Sequence, residues 1–118
     1  MATGYRQERV ADQIRSEVAS IIETELRDPR IGFTTVTRVE VSPDLSHARV
    51  LVSVLGSEEI REKSLEGLNS AAGYVRREIT HRLRLRRAPE ITFVLDRGPE
   101  EGDRIETLLH RLHESSDK

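Results

Sequence analysis

Residues 65–79 read LEGLNSAAGYVRREI, with Leu65, Leu68, Ala72, Val75 and Ile79 recurring at steps of three, four, three and four. That spacing sets five apolar side chains on one stripe of an α-helix. Gly73 falls inside the pattern. A mid-helix glycine costs up to about 1 kcal/mol relative to alanine. It therefore marks a kink or a close approach, or else it is tolerated in one continuous helix; the periodicity leaves both readings open. Upstream, Ser57 suits an N-cap, and Glu58 and Glu59 place carboxylates at the positive end of the helix dipole.

The flanking segments read as strands. In residues 33–41, Phe33, Thr35, Thr37, Val39 and Val41 fall on one face and Thr34, Val36, Arg38 and Glu40 on the other; in 47–55, Ala48, Val50, Val52 and Val54 alternate with His47, Arg49, Leu51 and Ser53. Between them, Ser42-Pro43-Asp44-Leu45-Ser46 has the composition of a hairpin connection. Ile91, Phe93 and Leu95 alternate with Thr92 and Val94 as a third strand after Pro89. More than thirty residues separate it from the second, so it arrives by a helical crossover into a mixed three-stranded sheet. Helices are expected to cover one face and leave the other partly open. A first helix over 6–27 carries Val10, Ile14, Val18, Ile21, Ile22 and Leu26, and Asp28-Pro29 stops it. After the loop Gly98–Gly102, Asp103 can cap a last helix with Ile105, Leu108, Leu109 and Leu112 on one face. The expectation is an α+β chain: one domain over 1–114 and a polar tail over 115–118.

Composition bounds the function. The 118 residues hold 19 Lys and Arg against 21 Asp and Glu, a formal net charge of −2, with no Cys and no Trp. The core must be aliphatic, since Phe33, Phe93, Tyr5 and Tyr74 are the only aromatics. Disulfides, thiolate metal sites and a cysteine nucleophile are excluded. Arg6, Glu8, Arg9 and Asp12 break up any signal-peptide run, and no stretch approaches the ~20 apolar residues of a membrane span. A cytoplasmic protein without membrane contact is expected.

The most informative local composition lies at 76–87, where Arg76, Arg77, Arg82, Arg84, Arg86 and Arg87, with His81, face a single acid, Glu78. Arginine presents a planar fork of donors matched to phosphate and stacks on bases. A basic stripe on an otherwise acidic chain is an electrostatic footprint for polyanions. The alternative is a solvated helix face whose charges pair with acids such as Glu58, Glu59, Glu62 and Glu66. Arg6 and Arg9, with Arg15, can extend the basic surface from the first helix, or pair with Glu8, Asp12 and Glu23. No aromatic pair suited to base stacking lies on any strand, which excludes the platform used by RRM domains.

Catalysis finds no support. There is no glycine-rich phosphate loop, nucleophile elbow or H-E-x-x-H. His110 and His113, with Glu106 one turn earlier, could share a helix face with a metal, but no fourth protein ligand is evident. No cofactor is expected.

Several ordered strings together resemble the bacterial ribosome-binding factor A family: Arg9–Ile14, Leu26–Arg30, Val39–Leu45, Ala71–Arg76, Arg84–Arg86 and Pro89–Phe93. They cover the chain from about residue 6 to 112. The resemblance implies a KH-like domain of the second topological type, in the order α-β-β-α-kink-α-β-α. It also implies that Ala71-Ala72-Gly73, and not a Gly-x-x-Gly clamp, forms the junction between two helices, with Ala71 and Gly73 as the kink motif. It further implies a binding factor for the free, immature 30S subunit and its 16S rRNA that supports rRNA precursor processing, with a role in cold adaptation and interplay with assembly GTPases. A monomer is expected. Arg76, Arg77, Arg82, Arg84, Arg86 and Arg87, with Arg6 and Arg9, are then the expected RNA contacts. A rival reading is a protein-interaction domain gripping its partner through Arg38, Arg49 and Leu51 on the open sheet face. A third is a small hydrolase or metal enzyme built on His110 and His113.

Overall fold

A computed structural model describes the backbone of residues 2–98 and the side chains from Arg6 onward. The expected loop from Pro99, the expected last helix with His110 and His113, and the expected tail lie outside the described residues. Six elements follow in order: α1 Ala2–Thr24, β1 Thr34–Val41, β2 His47–Val54, α2 Glu58–Ser70, α3 Ala72–Arg82 and β3 Glu90–Leu95. The sheet order is β1-β2-β3, with β1 antiparallel and β3 parallel to the central β2. This is the expected mixed sheet.

The helix stripes meet the sheet in one aliphatic core. Ile14, Val18 and Ile21 of α1, Leu68 of α2, and Val75 and Ile79 of α3 are sealed against Ala48, Val50, Val52 and Phe93. Along β2 the alternation holds on the helix side. On the other side Leu51 is also buried, at 8% exposure, while its neighbours Arg49 and Ser53 are exposed.

Strand β1 departs from simple alternation. Its register slips between Val36 and Arg38, so Thr37 is a bulge. The Thr37 hydroxyl reaches the Leu51 carbonyl at 3.2 Å and the Asp96 carboxylate at 2.6 Å. The slip flips the facing of the strand midway. Val36 is buried, and Phe33, expected on the face of Val39 and Val41, is 74% exposed.

The helix junction exists, but it sits at Ala71. There φ is −90° and ψ 0°, and the Ala71 N–H is shared between the Gly67 and Leu68 carbonyls at 3.2 and 3.0 Å. That sharing tightens the last turn of α2 and ends it. Gly73 lies inside α3, and a Cβ there would meet nothing within 4 Å. No close approach explains it, and the break at Ala71 lies two residues before it. The glycine that permits close packing is Gly67, where a Cβ would stand 2.8 Å from Ile31 and 3.3 Å from Asp28. The loop after α1 nests there. It begins earlier than the proline implies: α1 ends at Thr24, and Leu26 N–H reaches back to the Ile21 carbonyl at 3.2 Å. Asp28 then accepts from the Arg30 N–H at 2.9 Å and from its guanidinium, a local bond that competes with helix.

Polar side chains lock these pieces. Buried Ser64 accepts from Gly32 N–H at 2.9 Å and donates to the Arg30 carbonyl at 3.2 Å. Asn69 accepts from Phe93 N–H at 2.8 Å and donates to the Phe93 carbonyl at 3.1 Å, tying α2 to the outer edge of β3. Ser57 caps α2 as expected, accepting from Ile60 N–H at 3.3 Å.

Candidate nucleic-acid interface

The end of α3 decides where the arginines point. Leu85 N–H bonds the Thr80 carbonyl at 3.1 Å and Arg84 N–H the His81 carbonyl at 3.3 Å, the paired bonds of a Schellman cap. The residue after the C-cap takes the left-handed conformation there, usually as glycine. Here it is Arg84, with φ 52°. Leu85 turns back onto the core, which leaves Arg84, Arg86 and Arg87 exposed along the connection to β3. Arg76 reaches over from α3, and its Nε donates to the Ala88 carbonyl at 3.1 Å. That bond pins the basic connection against the helix.

The hairpin between β1 and β2 forms the facing wall. Leu45 N–H closes a turn on the Ser42 carbonyl at 2.9 Å, and Leu45 itself lies at φ 60°. The Asp44 carboxylate accepts from the Ser46 and Ser42 hydroxyls and from Ser46 N–H, which hold it ionised with its pKa lowered to about 2. The start of α1 supplies the third wall, because Gln7 Nε2 donates to the Val41 carbonyl at 2.8 Å and so fixes Arg6 beside the hairpin. Between these walls opens a cleft of about 550 Å³.

Four guanidinium groups line that cleft, from Arg6, Arg76, Arg86 and Arg87, against two carboxylates, Asp44 and Glu90. Both acids have partners: Asp44 holds its serines, and Glu90 lies 3.5 Å from the His47 imidazole. Among the described residues Arg6, Arg86 and Arg87 have no ion pair, so their donors face solvent. The sequence pattern placed the arginines but not this enclosure. Leu45, His47, Val10 and Pro89 also line it, and nothing local in the chain marks them, because three segments far apart in sequence build the walls.

The other expected contacts lie elsewhere. The Arg82 guanidinium meets Glu17 of α1 at 3.3 Å, Glu25 just past the end of α1, and Glu78 one turn back on α3 at 3.4 Å. Tyr74 also donates to Glu25, and first this bond and then Arg82 hold that carboxyl below its ordinary range. Arg82 thus fastens α3 to α1 and is not a free phosphate donor. Arg9 and Arg77 are exposed but outside the cleft, and the Ala71 junction with Gly73 is at the opposite end of α3 from the basic connection. On the open sheet face, Arg38 and Arg49 converge on Glu40 at 3.6 and 2.5 Å. With Leu51 buried beneath them, that face offers little grip. Among the described residues no group of three His, Asp or Glu is placed to hold a metal, and no helix is long and apolar enough to cross a membrane.

The element order defines a KH-like α+β domain, and its cleft gathers four arginines. The sequence model of the family described as Ribosome-binding factor A matches residues 6–109, and the chain belongs to that family. A ribosome-binding factor A from Thermomicrobium roseum is 51% identical over 110 residues, covering 93% of this chain and 85% of the relative. The solution structure of a proposed ribosome binding factor A from Thermotoga maritima superposes with a TM-score of 0.72 at 42% identity, covering 81% of this chain and 92% of that one. A Thermus thermophilus homology model, fitted into a cryo-electron-microscopy map of a complex between the 30S subunit and ribosome binding factor A, gives a TM-score of 0.65 at 30% identity. It covers 76% of this chain and 94% of its own.

Proposed function

We propose that this protein is a ribosome assembly factor that binds the free, immature 30S subunit through 16S rRNA and promotes its late maturation, including processing of the rRNA precursor. The observation that carries this reading is the cleft that gathers Arg6, Arg76, Arg86 and Arg87 on a chain of this family. The relative fitted into a 30S complex supports the same target. The protein works by binding and performs no bond chemistry. It acts as a monomer in the cytoplasm, in interplay with assembly GTPases, and it supports growth in the cold. Arg6, Arg86 and Arg87 carry the phosphate contacts. Arg84, Arg77 and Arg9 add to the surrounding field, while Arg82 holds the fold.

Sedimentation of lysate on a gradient tests the assignment. The protein should travel with free small subunits and not with whole ribosomes. A strain lacking it should accumulate 16S precursor and grow poorly at low temperature. Migration with neither fraction would overturn the reading.

A further inference from the structure

We infer that the basic cleft seats one unstacked nucleotide of single-stranded RNA, its base against the aliphatic part of the lining and its phosphates on the arginines. The inference rests on the RNA-binding reading above and adds what the cleft takes. Part of the lining is apolar: Val10, Leu45, Leu85 and Pro89 share the cleft with Arg6, Arg86 and Arg87. A bare phosphate site has no use for such apolar side chains, and an apolar groove has no use for those arginines. Together they match a ligand with one flat, weakly polar part and one anionic part. The volume of about 550 Å³ falls within the roughly 300–1,000 Å³ of small-ligand clefts.

Backbone strain points to the same place. Among the described residues only Leu45 and Arg84 combine a side chain with a positive φ, at 60° and 52°. Leu45 lines the cleft, and Arg84 begins the connection that forms its rim. Glycine or asparagine would adopt either conformation at lower cost. Strain of this kind gathers at binding sites, where the side chain is needed in that position. At residue 45 that side chain is an apolar surface, and no charge is involved.

The test uses the full chain with two probes of about nine nucleotides, within the span one small domain covers. One is a single-stranded RNA; the other is the same ribose-phosphate backbone without bases. The intact RNA should bind roughly tenfold tighter, a gain of about 1.4 kcal/mol from the seated base. Leu45→Gly and Leu45→Asn both accept a positive φ, so the hairpin should keep its shape, which the melting temperature verifies. Each should erase most of the tenfold difference while leaving the slope of affinity against salt unchanged. Equal binding of both probes by the natural protein, or no effect of either variant, would overturn the nucleotide seat and leave the RNA-binding reading standing. Displacement by oligoglutamate of equal charge would assign the cleft to acidic peptides. Displacement by micromolar adenosine monophosphate would assign it to free nucleotides. Either outcome overturns the inference. Binding of neither probe would overturn the RNA-binding reading as well.

Discussion

Arg82 and the pair Arg86-Arg87 come from one short stretch, carry the same group, and do opposite things. Arg82 faces Glu17, Glu25 and Glu78, and is 27% exposed at its side chain. Arg86 and Arg87 are exposed on the rim of a cleft whose two acids already have other partners. Arginine density in the sequence measures how much charge is present, not how much is available. Availability is decided by which acids each side chain meets, and Glu17 and Glu25 reach Arg82 but neither Arg86 nor Arg87.

Replacing Arg86 and Arg87 together with alanine tests the free side of that contrast and should give the largest effect. Two lost phosphate contacts should lower the slope of log affinity against log salt by about 1.4–1.8 and weaken binding to small subunits at least tenfold. The melting temperature should not move. A large fall in it would show that these side chains hold the fold, and the contrast would collapse.

Arg82→Gln tests the committed side. It leaves three carboxylates facing one another, so the melting temperature should drop by several degrees. The salt slope of the folded protein should stay the same. A flatter slope would return Arg82 to the binding surface.

Acid sharpens the picture of the clamp. Glu25 has its pKa lowered from an ordinary 4.5, first by the Tyr74 hydroxyl and then by Arg82. A depressed carboxyl contributes stability that is complete above its unfolded value and is lost as pH falls through the folded one. Tyr74→Phe should therefore be less stable than the natural protein at neutral pH. In urea titrations the gap should narrow as pH falls below the ordinary 4.5 and close once it has passed the lowered folded value, where Glu25 is protonated in both folded and unfolded chains. A gap that persists in acid would mean Tyr74 acts through packing alone.

Arg84→Gly should have the smallest effect, with two opposed parts. Relief of the positive φ should raise stability by roughly 0.5–1 kcal/mol, net of the greater freedom of unfolded glycine. Loss of one charge should lower the salt slope by less than about 0.9. A variant that is more stable and binds less well would place this arginine with the free group.

Much of the fold was legible because it is written in local spacing. The stripes of α1, α2 and α3 and the alternation of β2 each follow from residues a few positions apart. Strand β1 misled for a physical reason: a bulge at Thr37, secured by Leu51 and Asp96, reverses the facing of everything before it. Gly73 drew attention by its position, yet open space surrounds it, while Gly67 touches a loop more than thirty residues away and looks ordinary in the sequence. The site followed the same rule. Arg86 and Arg87 could be read from composition, but the cleft could not, since Arg6, the hairpin and the α3–β3 connection meet only in three dimensions. Nor could the fate of Arg82, which depends on Glu17 and Glu25, more than fifty residues away in the chain.

The two bonds between Asn69 and Phe93 have a consequence for how the molecule behaves among its own copies. In a parallel edge strand every second residue turns its N–H and carbonyl outward, where another chain can add a strand. Phe93 is the middle outward-facing residue of β3, and the amide of Asn69 occupies both of its groups as a neighbouring strand would. One side chain thus gives β3 a false neighbour and closes its centre to templated growth. The centre of that edge therefore offers no free backbone pair on which a second copy could build.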